Sequence, residues 1–438
     1  MSNFKKGIIL FLLLFAFEQI LGFALEPVTY RHSLELDLKQ MDAEGMQPDM
    51  VFIGNSRVFT SFNPFVFSDR MEEVDCAFNA GTASQGIEGT YWYLKDILSQ
   101  YDLKYVSLGL DYQNFLQEER VVKRDLVVLE RIKSIPVKVG FILDVFEPTE
   151  YAYFLKSYQY RDEIWGCGEI IRKKMSEEYR QGIYEDEKSV YENLGFVREK
   201  EAFGNKAGIC ISRSWTEEEL DREKLAYLDR IIELCREEGV ELYVVSTPLT
   251  ISTVCETPGY EECNRFFSRY LEEREIPYDN LNLMENRGYL LPDESMSSME
   301  HVSGDGADIV SAYYCDILQS HIKKEPGKAS LYDSVAEMKA HLPDLAYCDF
   351  HMEKPDDMGN VELSAKAFHG NSVEIEYQFE RDADGATEVL QSYDSQGICP
   401  LPGEKISFPM TLRVRCRVKD KKAEKIFEID IEEDTWEQ

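Results

Sequence analysis

Residues 51–62, VFIGNSRVFTSF, place a short apolar run directly before a small polar turn. Residues 49–54, DMVFIG, have the composition of a short buried strand, and Gly54–Asn55 permit a tight turn at its end. Such a turn leaves the hydroxyl of Ser56 facing outward. In a parallel α/β sheet, ligand-binding groups lie beyond the carboxyl ends of the strands. The stretch therefore predicts a first parallel strand and a candidate reactive serine.

Four more short apolar runs, each closed by turn residues, also predict buried strands: 75–80, 104–110, 240–247 and 276–282. Helical patterns separate them at 86–99, 216–238 and 304–322, and the second begins at a capping Thr216 and stops at Gly239. Strands that alternate with helices form a parallel sheet with both faces covered. The sequence thus predicts a three-layer α/β/α, flavodoxin-like domain.

Two regions depart from this alternation. Residues of about 112–215 are mostly helical in pattern and rich in aromatics, which predicts a helical insertion after the third strand. After residue 325 the segments SVEIEYQFER, TEVLQSYDS, TLRVRCRVKD and EKIFEIDIEE alternate polar and apolar residues. The predicted domains are therefore 26–325, an α/β domain, and 326–438, an antiparallel β-sandwich.

Composition excludes one class of partner. The 438 residues include 82 acidic and 48 basic ones, for a net charge of −34. Such a surface repels phosphate backbones, so we expect no nucleic-acid binding.

The first 25 residues predict export. Lys5 and Lys6 precede the apolar stretch 7–25, which is interrupted only by Glu18 and Gln19. Nineteen helical residues rise about 28 Å, nearly the thickness of a bilayer core. The lysines predict a cytoplasmic N-terminus with the bulk of the chain outside. Two alternatives remain: an uncleaved signal anchor over 1–25, or a signal peptide cleaved near 22–24, after which the chain is secreted.

The ten cysteines form no CxxC pair and no Cys/His cluster at zinc spacing, so the sequence predicts neither a metal site nor a cofactor. Cys255 and Cys263 flank a Pro-Gly turn and are the best local candidates for a disulfide. Buried free thiols are the other interpretation.

Four further blocks follow in order: FNAGTASQG (78–86), SLGLDYQNF (107–115), VVSTPL (244–249) and MEHVSGDGA (299–307). Their order resembles the SGNH (GDSL-like) hydrolase superfamily over about 48–322. The resemblance is closest to membrane-anchored members that accompany cell-surface polysaccharide acylation. It implies that Ser56 is the nucleophile and His301 the base.

The resemblance also implies roles for neighbouring residues. The aspartate that the family places three residues before its histidine is Ser298 here, so Glu300, Asp293 or Glu294 substitutes for it, or a Ser–His dyad suffices. The oxyanion and substrate positions fall in the first three blocks, on Arg57, Gly81, Ser84, Asp111 and Asn114.

The implied function is that of a serine-dependent O-acyl (acetyl) esterase or acyltransferase acting on acylated cell-envelope polysaccharide, held at the membrane by its N-terminal helix. Analogy with the anchored relatives implies a multi-pass membrane acyltransferase as a partner. The alternative is a catalytically inactive surface protein that binds glycan or serves as a scaffold on the same fold. The C-terminal region resembles the immunoglobulin-like triple-tyrosine domain, with Tyr377 and Tyr393 at two tyrosine positions and Met410 at the third.

Overall fold

A computed structural model describes residues 3–200, 213–353, 355–356, 358–370, 373–383 and 385–431. Its helices are α1 (Asn3–Leu25), α2 (Arg31–Glu44), α3 (Ser56–Ser61), α4 (Pro64–Arg70), α5 (Ile87–Leu98), α6 (Val122–Arg131), α7 (Ile135–Val145), α8 (Lys156–Gln159), α9 (Cys167–Lys174), α10 (Glu177–Arg180), α11 (Arg222–Glu238), α12 (Ile251–Glu256), α13 (Tyr260–Glu272), α14 (Arg287–Leu290), α15 (Gly304–Lys323) and α16 (Val335–Ala340).

The strands are β1 (Met50–Ile53), β2 (Ala77–Asn79), β3 (Tyr105–Gly109), β4 (Ser189–Asn193), β5 (Phe196–Glu199), β6 (Glu241–Ser246), β7 (Tyr278–Asn280), β8 (Tyr347–Met352), β9 (Val361–Phe368), β10 (Ile375–Ala383), β11 (Ala386–Asp394), β12 (Ile398–Leu401), β13 (Met410–Val418) and β14 (Glu424–Ile431).

The central parallel sheet has the strand order β2-β1-β3-β6-β7. Strand β1 pairs in parallel with both β2 and β3, with Val51 opposite Phe78 and Val106. Every residue of β1 is buried, as expected for a strand covered on both faces. The predicted α/β class with a C-terminal antiparallel β region is confirmed.

One predicted helix boundary was wrong. Helix α11 begins at Arg222 rather than near Thr216, because the carboxylate of Asp221 caps it by accepting hydrogen bonds from the N–H groups of Glu223 and Lys224. The predicted stop at Gly239 is confirmed: this residue is left-handed, with φ of 72°.

The chain divides into two compact units, which are described separately. The first comprises Met1–Arg198 and Glu219–Val244. After β3 it carries α6 to α10 and then a hairpin formed by β4 and β5. The N–H of Asn79, at the end of β2, donates to the carbonyl of Leu194 in the turn of this hairpin (2.7 Å). The predicted helical insertion thus contains a β-hairpin, and its part at 201–212 lies outside the described residues.

The second unit comprises Glu199–Glu218 and Val245–Gln438. Its C-terminal part contains two antiparallel sheets, one of order β11-β10-β13-β14 and one of order β12-β9-β8. Alternate residues of β13 are buried, which is the pattern of a strand with one face on a core. Residues 372 and 432–433 of the predicted strands lie outside the described residues.

The two sheets of the C-terminal region both contribute buried cysteines. Sγ of Cys416, on β13, contacts Sγ of Cys348, on β8. Cys255 and Cys263, the pair that the sequence favoured for a local disulfide, are free thiols.

Helix α1 is long and apolar. Within the described residues, Phe4–Leu25 is the one helix with the length and hydropathy to cross a membrane, and little of it is buried by protein.

Candidate active site

The turn after β1 is tightly packed against the end of β3. A Cβ atom on Gly54 would lie 2.7 Å from Cγ2 of Val58, and one on Gly109 would lie 2.1 Å from the same atom. Glycine at both positions lets the first turn of α3 approach the strand ends. Ser56 is the first residue of α3 and is half-buried.

The residues on either side of Ser56 are held by one carboxylate. Asn55 Oδ1 accepts from the N–H of Arg57 and caps α3, while its Nδ2 donates to Asp111 Oδ2 at 2.7 Å. Arg57 Nη1 forms an ion pair with Asp111 Oδ1 at 3.2 Å, and both side chains are largely buried. Asp111 also accepts from the N–H of Gln113. The structure therefore places Asp111 and Arg57 in a network that fixes the backbone around Ser56.

Asn79 holds the second block in place. Its Oδ1 accepts from the N–H of Gly81 (2.9 Å), and its Nδ2 donates to the carbonyls of Val58 and Phe62, both at 3.0 Å. The side chain is fully buried. The N–H of Gly81 is therefore engaged by Asn79 and is not directed at a substrate. Glycine at position 81 lets this loop pack closely against α3, because a Cβ would lie 3.0 Å from the N atom of Phe59.

Ser84 and Asn114 are the better placed donors. Ser84 is exposed and left-handed, with φ of 55°. Asn114 Nδ2 donates one hydrogen bond, to the carbonyl of Gln85 at 3.1 Å. A side-chain amide has two N–H donors, so the second remains for a ligand. This bond also joins the second block to the third.

Ser84 and Asn114 line the same pocket, together with Gly86 and several charged side chains. The charged groups are three acidic and three basic side chains, a balance that suits a neutral ligand with many hydroxyls better than an ion. Burial raises the pKa values of Glu88 and Asp125 from their ordinary values. The charged side chains of the lining are Glu88, Glu118, Arg120, Arg124, Asp125 and Lys224.

In the second unit, Ser298 orients His301. Ser298 Oγ lies 3.0 Å from His301 Nδ1 and also accepts from the N–H groups of His301 (3.1 Å) and Glu300 (3.3 Å). The carbonyl of His301 accepts from the N–H of Ser297 at 2.8 Å. These contacts close a tight turn in which a serine hydroxyl holds one ring nitrogen of the half-buried imidazole.

The residues after His301 begin α15. Ser303 caps the helix by accepting from the N–H of Gly306 (3.2 Å), and its hydroxyl donates to the carbonyl of Ser295 (2.8 Å). A Cβ on Gly306 would lie 2.3 Å from that carbonyl oxygen. The glycine in HVSGDGA thus allows the histidine loop to pack against residue 295.

Asp293 and Glu294, two of the other candidate acids, have different partners. Asp293 is fully buried and accepts from the N–H of Ile251 at 2.8 Å. Burial raises its pKa to about 6, although the nearby Arg287 opposes the shift. Glu294 accepts from Lys425 Nζ at 2.6 Å. The observed partner of His301 Nδ1 is Ser298.

The predicted residues form two groups. Ser56, Arg57, Gly81, Ser84, Asp111 and Asn114 belong to the first compact unit, while Ser298, Glu300 and His301 belong to the second. Sequence reasoning missed Asn79, although an amide directly after an apolar run was a usable signal for a residue that organises a strand end.

Comparisons with known proteins give matches to solved structures alone. No protein-family model matches the chain, and no curated protein matches it. One similar structure is a candidate acylhydrolase from Bacteroides fragilis, with 11% identity, a TM-score of 0.32, and coverage of 65% of this chain and 93% of that one. Another is a GDSL-like lipase from Bacteroides thetaiotaomicron, with 10% identity, a TM-score of 0.31, and coverage of 66% and 98%.

Proposed function

We propose that the protein is a membrane-anchored, extracytoplasmic serine esterase or acyltransferase that acts on O-acyl groups of cell-envelope polysaccharide. The observation that carries the proposal is the environment of Ser56. Its two neighbours are locked by Asp111, while Ser56 itself stays half-exposed at the end of β1. Rigid support around a partly accessible hydroxyl is what a nucleophile requires.

In the proposed reaction, Nε2 of His301 takes the proton of the Ser56 hydroxyl as Oγ attacks the acyl carbonyl carbon. The tetrahedral intermediate collapses when its C–O bond to the sugar breaks, and the sugar oxygen takes the proton back from His301. Water then attacks the acyl-serine and releases the free acid. A second sugar hydroxyl in place of water gives acyl transfer.

The oxyanion needs hydrogen-bond donors. We assign the N–H of Ser84 and the second amide N–H of Asn114 to this role, because both residues lie in the blocks where the SGNH resemblance puts the oxyanion donors. Asp111 is excluded from it, because its carboxylate is an acceptor bonded to Asn55 and Arg57.

The substrate class and location follow from three features. The pocket of mixed charges suits sugar hydroxyls, and the net charge of −34 disfavours nucleic acid. Helix α1 is long enough to anchor the chain in a membrane. The resemblance to anchored members of polysaccharide acylation systems supports a cell-surface glycan as substrate and a multi-pass membrane acyltransferase as partner.

A second candidate function is glycan binding without catalysis. Ser298 favours it, because a hydroxyl cannot stabilise an imidazolium ion as a carboxylate does. In this alternative the Ser84–Asn114 pocket still binds sugar, but Ser56 forms no acyl adduct.

Turnover of p-nitrophenyl acetate by the full chain in detergent separates the two. Catalysis predicts turnover that is lost in Ser56→Ala and in His301→Gln. The matched control is Ser214→Ala, which alters an exposed serine of the second unit and should leave the rate unchanged. Equal rates for wild type and Ser56→Ala would exclude Ser56 as the nucleophile. Glycan binding without turnover in any variant would support the second function.

A further inference from the structure

The carboxylate of Glu18 is an unusual group in an otherwise apolar helix. Glu18 Oε1 accepts from the N–H of Ser157 at 3.0 Å, and its other oxygen accepts from the Ser157 hydroxyl. Both donors belong to α8, within the helical insertion. A carboxylate in an apolar environment is costly unless such donors satisfy it.

A second set of contacts surrounds the end of α1. A Cβ on Gly22 would lie 2.9 Å from Cβ of Lys156, so glycine allows α8 to approach the helix closely. Lys156 Nζ pairs with Glu26 at 2.6 Å, and Lys174 Nζ donates to the carbonyl of Phe23 at 2.8 Å. The C-terminal part of α1 is therefore docked on α8 and α9, while residues 4–17 are exposed.

The depth of these contacts follows from helix geometry. A bilayer core about 30 Å thick takes about 20 helical residues, so a span that starts after Lys6 ends near Glu26. At 1.5 Å per residue, Glu18 then lies about 12 Å below the level of Glu26. Because Ser157 contacts Glu18, α8 lies below the membrane surface as well. The lysines at 156 and 174 reach back toward Glu26, as long basic side chains do near an interface.

The surface next to this docking site is apolar. Leu155, directly before α8, is 52% exposed, and Ile164 and Trp165, just before α9, are 56% and 96% exposed. Tryptophan is enriched at membrane–water interfaces. The segment 155–175 also holds five basic and three acidic residues, although the whole chain is strongly acidic. A local positive excess complements the anionic surface of a bilayer.

We propose that the segment 155–175 is a membrane-inserted surface, with Leu155, Ile164 and Trp165 in contact with the headgroup and upper acyl region of the bilayer that α1 spans. The partner is lipid, and the inference rests on the membrane anchoring proposed above. Such an insertion holds the first unit at the outer face of the membrane, where newly exported polysaccharide emerges.

The test is fluorescence of the full chain in vesicles of phosphatidylcholine and phosphatidylglycerol whose acyl chains are brominated near the headgroup. Brominated lipid should quench the wild type, and most of that quenching should disappear in Trp165→Phe. Trp215→Phe is the matched control, because Trp215 is only 4% exposed and its loss should leave the lipid-dependent quenching intact. Equal quenching in wild type and Trp165→Phe, or none in either, would overturn the inference.

Two further readouts separate the causes of failure. Flotation of the same vesicles reports anchoring by α1. A chain that does not float overturns the anchor and the inserted surface together, whereas one that floats with an unquenched Trp165 overturns only the surface. Iodide quenching of Trp165 can also be compared between lipid vesicles and native membranes. Protection from iodide in native membranes but not in vesicles would identify a protein partner and contradict the lipid assignment. Hydrolysis of p-nitrophenyl acetate, measured in parallel, tests the catalytic proposal independently.

Discussion

Ser298 Oγ lies 3.0 Å from Nδ1 of His301. The same oxygen accepts two backbone N–H groups. The direction of its bond with Nδ1 depends on the tautomer of the ring, because a hydroxyl can both donate and accept. Unlike a carboxylate, a neutral hydroxyl cannot stabilise the imidazolium ion that forms when a histidine accepts a proton. In the proposed reaction, Ser298 therefore makes His301 a weaker base than a carboxylate partner would.

Ser298→Asp should strengthen this base. A carboxylate would hold the proton on Nδ1 and stabilise the imidazolium ion, so we expect ester turnover to rise by about tenfold or more. The acid limb of the pH–rate profile should move to higher pH, because the carboxylate favours the protonated ring. Ser297→Asp is the control, since Ser297 bonds the carbonyl of His301 and not its ring. A rate unchanged by Ser298→Asp would contradict the assignment of His301 as the base.

Asp111→Asn should loosen the Ser56 turn. It removes the anionic partner of Arg57, which is 6% exposed, and it presents an amide toward Nδ2 of Asn55. Breaking a buried ion pair from one side costs about 3 kcal/mol, so denaturant unfolding should show a loss of that order together with a lower esterase rate. Asp102→Asn, at an exposed position, should change neither. A free energy of unfolding equal to that of wild type in Asp111→Asn would show that the network does not stabilise the fold.

Asn114→Ala should lower kcat with little change in KM. An oxyanion donor acts in the transition state, and removal of one typically costs about a hundredfold in kcat. Asn114→Asp, which keeps the size but has no N–H donor, should lose at least as much. Gln40→Ala, on the exposed face of α2, is the control. An effect confined to KM would instead indicate ground-state substrate binding.

Asp293→Asn should change how stability depends on pH. Burial raises the pKa of Asp293 to about 6, so the folded state holds this proton more tightly than the unfolded state does. The stabilisation is complete below the ordinary carboxyl pKa, near 4, and is lost as pH rises through about 6. Between pH 4 and pH 7, the free energy of unfolding of the amide variant should therefore rise by up to about 3 kcal/mol relative to that of wild type. Parallel stability curves for the two proteins would contradict the shift.

The fold was largely predictable because its signals are local. Each of the five predicted runs contains a strand of the central sheet, since short apolar segments closed by turn residues are typical of buried strands. The start of α11 was missed because Thr216 and Asp221 are both acceptable caps, and the choice depends on the side-chain contacts of Asp221.

The site was less predictable because its contacts join distant residues. The sequence suggested Asp111 as a substrate or oxyanion position, but its carboxylate bonds Asn55 and Arg57, more than fifty residues away. Asn79 likewise donates hydrogen bonds to the carbonyls of Val58 and Phe62. No sequence spacing predicts these contacts. The contact between Ser298 and His301 could be predicted from their three-residue separation, because residues that far apart meet within one turn of the chain.

The most direct test of the central claim is covalent labelling of the full chain with a fluorophosphonate, followed by peptide mass spectrometry. Our account predicts a single adduct on Ser56 whose formation slows sharply in His301→Gln, since the hydroxyl then has no group to accept its proton. Adducts on other serines, or labelling of Ser56 that is indifferent to position 301, would contradict it.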